Sequence, residues 1–337
     1  MDARDDNPRR LDIAIKVAIG GLVLALAFLA YVIIATELQQ RAATPAARAI
    51  ANLEQIVRDD PNDLGARLNL ADALLAAGSF RAASEQYQEV LSAQADDPRA
   101  LAGLAFIAME QGEWLTAEGY WRRIIEVLTD GRFDAVDQRL ERAYRHLGAT
   151  LMERQEYEEA IKYLREATRV RRDVADTYFL LGIAYREIDS PVLYRENIQF
   201  ALRFDPLRPD ANYEYGRILL ADGDTAGAAE RFRVAAENAP ADRTEPQEAL
   251  AELGTAPARL QSASELASVD ASAALSEARI AAAIDPESVE AARLVATLYE
   301  RLDNREAALA GWQRVLVLVP GDPEALSGSE RLQPPAQ

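Results

Sequence analysis

The chain contains no cysteine and a single histidine, His146. Disulfides, thiolate metal sites and cysteine nucleophiles are therefore excluded together, and His146 lacks the partner ligands a metal centre needs. Lysine is almost missing: Lys16 and Lys162 are the only two, a skew that reads as codon bias before chemistry. Basic residues are outnumbered by acidic ones, 37 against 55, for a net charge of −18. Phosphate recognition needs clustered cations, so this balance argues against a nucleic-acid partner. Strand-like alternation is scarce, and glycine and proline punctuate rather than cluster. No nucleophile elbow, phosphate loop or metal-ligand pair occurs, which leaves no basis for an enzyme, a cofactor or a metal site. The run Asp222-Gly223-Asp224-Thr225-Ala226-Gly227 faintly echoes a calcium loop, but Ala226 stands where the third acid should be. His146 reads as a packing or surface residue, and Glu156, Glu158 and Glu159 as acids favoured at a helix start.

What the chain does have begins with one long apolar run. Residues 17–35 carry no charge, and from Ile13 only Lys16 interrupts the stretch. At about 1.5 Å per residue this makes roughly 28–35 Å of helix, enough for a hydrocarbon core of about 30 Å. The run has no polar face, unlike a core helix. It is also longer than the roughly 7–15 apolar residues of a cleaved signal peptide. The expectation is a single transmembrane helix over 13–35 behind a tail over 1–12. Arg4, Arg9, Arg10 and Lys16 precede the span and Arg41 and Arg48 follow it. By the positive-inside rule the N-terminus is cytoplasmic, and the rest of the chain lies outside the inner membrane.

Beyond the span, one pattern recurs. Residues 209–242 read as two amphipathic helices joined at Gly223-Asp224. The first buries Asn212, Tyr215, Gly216 and Leu219 and the second Ala228, Phe232 and Ala235, each at helical spacing. Such a hairpin cannot enclose its own apolar face and needs neighbours of its kind. They are present: Leu70, Ala71, Leu74, Gly78, Ala83, Tyr87 and Val90 in 64–97, and Leu101, Leu104, Ala105, Gly112, Ala117, Trp121 and Ile124 in 98–131. Repeat 141–174 carries Tyr144, Leu147, Gly148, Leu151, Ala160, Leu164 and Ala167, and repeat 175–208 carries Tyr178, Leu181, Gly182, Tyr185, Ala201 and Pro206. Repeat 289–322 closes the set with Val295, Ala296, Tyr299, Ala308, Trp312, Val315 and Pro320. Gly78 to Gly112, Gly148 to Gly182 and Gly182 to Gly216 are each 34 residues. A half repeat over 45–63 shows Ala49, Leu53 and Ile56 on its expected inner face.

This period and these residue types resemble the tetratricopeptide repeat (TPR) family, over about 45–333. The resemblance implies an all-α, right-handed solenoid of helical hairpins. It divides the chain into an array over 45–242 (a half repeat and five full ones), a linker over 243–257, and a degenerate and a final repeat with a C-terminal cap over 258–333. An inserted loop is expected near Asp130–Ala135. The degenerate repeat, Thr255–Pro286, keeps Ala274, Ala278, Ala281 and Pro286 but has polar Gln261, Ser262 and Glu265 in its first half. In repeat 175–208 the turn reads Asp189-Ser190-Pro191 and Tyr194 takes the small-residue crossing position, so the hairpin is expected to splay or its second helix to start late. A short helix, Glu324–Leu332, is expected to cap the end, with 333–337 fraying.

In proteins this chain resembles, the first helices carry a second face, at positions 5, 9 and 12 of each repeat, lining a concave groove that binds partner segments. Here it reads Leu68, Asp72 and Leu75, then Ala102, Phe106 and Met109, then Arg145, Ala149 and Met152, then Phe179, Ile183 and Arg186, then Tyr213, Arg217 and Leu220. The candidate site is Phe106, Met109, Arg145, Met152, Phe179, Ile183, Arg186, Tyr213, Arg217 and Leu220, with no acid among them. Three arginine forks beside aromatics suit a carboxylate-bearing or acidic-hydrophobic peptide. Reversing all three charges is expected to leave folding intact. The Lys/Asn carboxylate clamp of chaperone-binding members is absent. The expected function is a membrane-anchored interaction scaffold or assembly factor. Alternatives are an apoprotein-holding subunit similar to those of bacterial cytochrome c maturation, a tethered regulator of lipopolysaccharide synthesis, and an accessory subunit of an envelope biosynthetic enzyme.

Overall fold

A computed structural model describes Leu22 and residues 26–32, 44–129 and 138–333. Leu22 and residues 26–32 are helical and exposed. The expected span over 13–35 lies mostly outside the described residues, as do the tail over 1–12 and the loop near Asp130–Ala135. Among the described residues no helix is long and apolar enough to cross a membrane. All regular structure in the described residues is helical.

The chain divides into two compact units, the boundary falling after Val127. The first holds α1 (Pro45–Asp59), α2 (Leu64–Ala76), α3 (Phe80–Ala93), α4 (Pro98–Glu110) and most of α5 (Trp114–Thr129). In the second, α6 (Gln138–Glu153), α7 (Tyr157–Val170), α8 (Ala175–Glu187), α9 (Pro191–Phe204), α10 (Pro209–Ala221) and α11 (Thr225–Asn238) form three hairpins. They are followed by α12 (Glu245–Glu252), α13 (Ala256–Leu266), α14 (Ala271–Ile284), α15 (Val289–Arg301), α16 (Arg305–Leu318) and α17 (Pro323–Leu332). Within each unit successive hairpins stack, second helix against the next first helix, except after α11, which lies against α14.

Local chemistry starts these helices where it should. Asp63, Asp97, Asp224, Asp270 and Asp322 accept backbone N–H bonds at their helix N-termini, as do Ser288 and Asn304. Pro45, Pro98, Pro191 and Pro209 open helices, where a missing N–H costs nothing. Between the helices of a hairpin one residue adopts a positive φ. It is Gly78, Gly112 or Gly223 in three repeats and Gln155, Asp189 or Asp303 in three more, at φ of 62°, 55° and 57° for these last, while the turn between α13 and α14 has none. All six occupy the same place in the 34-residue period, so the turn geometry holds even where glycine does not supply it.

Most of the inferred core positions are buried, whereas Tyr144, Tyr178, Tyr215, Leu219, Val295 and Tyr299 are half-buried and Pro206 and Pro320 are exposed. Leu70, Ala71, Leu74, Ala83, Tyr87 and Val90 form one cluster, and Ala228 and Phe232 anchor another. Gly216 marks a close crossing: a Cβ there would lie 2.5 Å from the Phe232 ring.

Four expectations need correction. In α1 the packed stripe is Ile50, Leu53 and Val57, whereas Ala49 and Ile56 are exposed. Among the described residues α1 packs mainly on α2, through this stripe. The 175–208 hairpin is neither splayed nor late: Tyr157, Pro191 and Thr225 open α7, α9 and α11 at 34-residue intervals. The Tyr194 ring escapes the crossing because its hydroxyl reaches the next repeat, donating to Glu214 Oε2 at 2.5 Å. The segment read as a linker over 243–257 contains α12, whose Pro246 is buried and whose flanking Leu253 joins the Phe232 cluster. Residues 256–284 then form a regular hairpin, α13 with α14, that buries Ala263, Ala274, Ala278 and Ala281. Its polar Gln261 and Glu265 simply face solvent. The cap, α17, begins at Pro323 and buries Ala325, Gly328 and Ser329.

Candidate functional site

The candidate residues fall in both compact units. In the first, the Phe106 ring stands edge-on to Trp121, centroids 5.1 Å apart, and Met109 is half-buried. Asp72 on the same face is fully engaged: it accepts from the Tyr87 hydroxyl at 2.5 Å and from Arg99 Nε at 2.8 Å.

In the second unit α6, α8 and α10 present Arg145, Met152, Phe179, Ile183, Arg186, Tyr213, Arg217 and Leu220. Phe179 lies under the Arg208 guanidinium, 4.9 Å from its ring centre. Tyr213 leans on Phe232, centroids 5.7 Å apart. Both aromatics are thus half spent on the array itself. Leu220 is 42% exposed.

The arginines differ from one another. Arg145 Nε lies 3.1 Å from Glu141 and Nη1 lies 3.7 Å from Asp176, with 17% of its side chain exposed. Arg186 Nη1 donates to Glu214 at 2.7 Å and Nη2 to Glu187 at 2.8 Å. Burial works against its charge, but Glu187 and Glu214 more than offset this, so its pKa rises above the ordinary arginine value. Arg217 reaches Glu214 only at 3.3 Å, and 52% of its side chain is exposed. Glu214 has meanwhile committed one oxygen to Arg186 and the other to Tyr194. Arg217 therefore keeps the most donor capacity for an incoming carboxylate.

Charge reversal at Arg145 and Arg186, expected from the sequence to be harmless, acts on arginines that hold carboxylates of the array. Each would bring a second carboxylate against a buried one, Glu141 or Glu214. Reading positions 5, 9 and 12 alone missed these acids. Asp176 also pairs with Arg208, and Asp210 with Arg208 and Arg243, so a ladder of alternating charge links successive first helices. A signal was present: Glu141 and Arg145, and Glu214 and Arg217, are one helical turn apart.

His146 is half-buried on α6. Burial first, then Arg145 and Arg142, push its pKa down to about 4, with Asp176 opposing. In the 222–227 turn, Asp222 takes both Arg195 guanidinium nitrogens and Asp224 accepts from the Gly227 N–H. Among the described residues no group of three acids or histidines is placed to hold a metal ion.

Comparison with known proteins fits this geometry. Models described as tetratricopeptide repeat match residues 42–105, 146–190 and 195–243. No curated protein matches the chain. Among solved structures, pilF of Pseudomonas aeruginosa is similar at 16% identity and a TM-score of 0.47, over 80% of this chain and 97% of that one. MamA of Desulfovibrio magneticus RS-1 follows at 22% identity and a TM-score of 0.45, over 52% and 94%. Yeast Tom70 gives 16% identity and 0.44, over 85% and 58%. With its 34-residue hairpins, the small residues at their crossings and the family match over three stretches, the chain belongs to the tetratricopeptide repeat family.

Proposed function

We propose that this protein is a membrane-anchored interaction scaffold or assembly factor whose first-helix face captures carboxylate-bearing apolar segments of other proteins. Tetratricopeptide repeats mediate binding to other proteins, and nothing in the chain points to catalysis. The observation that carries the reading is the pairing of Arg217 with Leu220 on α10: a half-exposed guanidinium one helical turn from an exposed aliphatic side chain. An acidic-hydrophobic segment needs that combination.

The apolar run over 13–35 supports the anchor, and the preponderance of cations before it supports an N-terminus in the cytoplasm with the repeats on the far side. Tethering would raise the effective concentration of the array toward partners in the same membrane without any new contact.

In vivo crosslinking of the full chain tests the capture face. Arg217→Gln with Leu220→Ala should lower the yield of crosslinked partners about tenfold while expression and melting stay unchanged. Equal yields would remove α10 from the site. Protease accessibility of the C-terminus in intact and permeabilised cells tests the orientation.

A further inference from the structure

The packing order of the second unit changes after α11. Elsewhere a second helix meets the first helix of the following hairpin. Here α12 interposes, and α11 lies against α14, itself a second helix. The substitution leaves a cavity of about 540 Å³ walled by α11, α14, α15 and α16. That volume falls in the range that holds a small ligand or a few residues of peptide.

Its floor and walls are apolar: Ala282, Ala283, Ala292, Val295 and the Tyr299 ring. Its polar rim carries three arginines and two glutamates, an excess of positive charge in a strongly acidic chain. Both glutamates are occupied. Glu230 accepts from Arg279 Nε at 2.8 Å, and Glu237 accepts from Arg233 Nη1 through both oxygens, at 2.6 and 2.7 Å. Arg314 is different. Its one hydrogen bond goes to a main-chain acceptor, the Pro286 carbonyl, at 2.7 Å, and it has no carboxylate partner among the described residues. A guanidinium so placed offers at least three further donors beside an apolar wall.

We infer that this cavity takes the C-terminal residue of a partner polypeptide, its free carboxylate on Arg314 and its apolar side chain against Ala292, Val295 and Tyr299. A chain terminus is the point on a polypeptide where a carboxylate and an apolar side chain leave one Cα, which matches a cation beside an apolar wall. The site lies apart from the α10 face, and α11, α14 and α16, which form most of it, are second helices of their hairpins. It extends the proposed function to a second contact and does not depend on Arg217.

The test is photolabelling of the full chain in lipid nanodiscs with N-acetyl-Ala-Ala-(p-benzoyl-phenylalanine), as the free acid and as the C-terminal amide, followed by peptide mapping. The acid should label residues within 271–314 saturably, and the amide about tenfold less. Arg314→Gln should lower labelling by the acid to the level of the amide. Ala282→Leu, which keeps Arg314, should also reduce it by narrowing the cavity. Arg217→Gln should leave it unchanged, so that failure here and failure of the α10 face are told apart. Equal labelling by acid and amide, labelling elsewhere, no saturable labelling, or an acid preference that survives Arg314→Gln would each overturn the inference.

Discussion

The hydroxyl of Tyr194, on the second helix of one hairpin, donates to the buried carboxylate of Glu214 on the first helix of the next, at 2.5 Å. The bond explains why a tyrosine is tolerated where neighbouring repeats hold the fully buried Ala160 and Ala228. It also leaves Glu214 with one oxygen on Tyr194 and the other on Arg186, with Arg217 only at 3.3 Å, and so distinguishes an arginine that holds repeats together from one that faces outward.

Arg186 and Arg217 should therefore respond differently to substitution. Arg186→Glu sets two carboxylates together beside an almost buried position and should cost about 2–4 kcal/mol. Arg217→Gln, at a half-exposed position, should cost less than about 1 kcal/mol. Urea midpoints of the two variants check this, and equal shifts would contradict the division of labour.

Gln155 holds a positive φ that its counterparts in three repeats fill with glycine. A left-handed backbone costs a residue with a Cβ roughly 1–2 kcal/mol, so Gln155→Gly should raise the thermal midpoint. A fall would mean that the Gln155 side chain does more than the turn requires.

Glycine substitutions inside helices should split by site. At Gly216 a methyl group would sit 2.5 Å from the buried Phe232 ring, so Gly216→Ala should cost about 1–3 kcal/mol through overpacking. Gly119, also helical, has open space where a methyl group would go, with nothing within 4 Å. There Gly119→Ala should stabilise by up to about 1 kcal/mol through helix propensity alone. The two changes in melting temperature should carry opposite signs.

His146 sets a pH dependence. Its folded pKa of about 4 lies below the ordinary value near 6.5. Above about pH 6.5 it is neutral in both states and stability is full. As pH falls from there toward 4 the unfolded chain takes a proton that the folded chain refuses, and stability is lost, by up to about 3 kcal/mol. His146→Leu should flatten that part of the urea-midpoint profile relative to the native chain. Superimposable profiles would assign the acid sensitivity to other groups.

Much of the fold was legible because each hairpin writes its own pattern. Leu70, Ala71 and Leu74 recur as Leu104, Ala105 and Ala108 one period on, and the pattern needs only helical spacing and a count of 34 to be read. In the half repeat Leu53 is packed as read, but its packed neighbours are Ile50 and Val57 in place of the exposed Ala49 and Ile56, each shifted by one residue. The candidate site was legible only in part. Arg145, Arg186 and Arg217 look alike along the chain, and their difference comes from Glu141, one turn from Arg145 on the same helix, and from Asp176 and Glu214, which the stacking of first helices brings to Arg145 and Arg186.

The sequence by itself determined the all-helical hairpins, their period, the buried crossings at Gly148, Gly182 and Gly216, and membership of the repeat family, because burial at helical spacing is a local property of the chain. Tertiary structure alone decided which arginines are already neutralised, that α11 meets α14 across the interposed α12, and that Arg314 is left beside an apolar cavity. Those outcomes depend on how far long side chains reach and on which helix arrives next. Residues far apart along the chain settle them, and no local pattern records them.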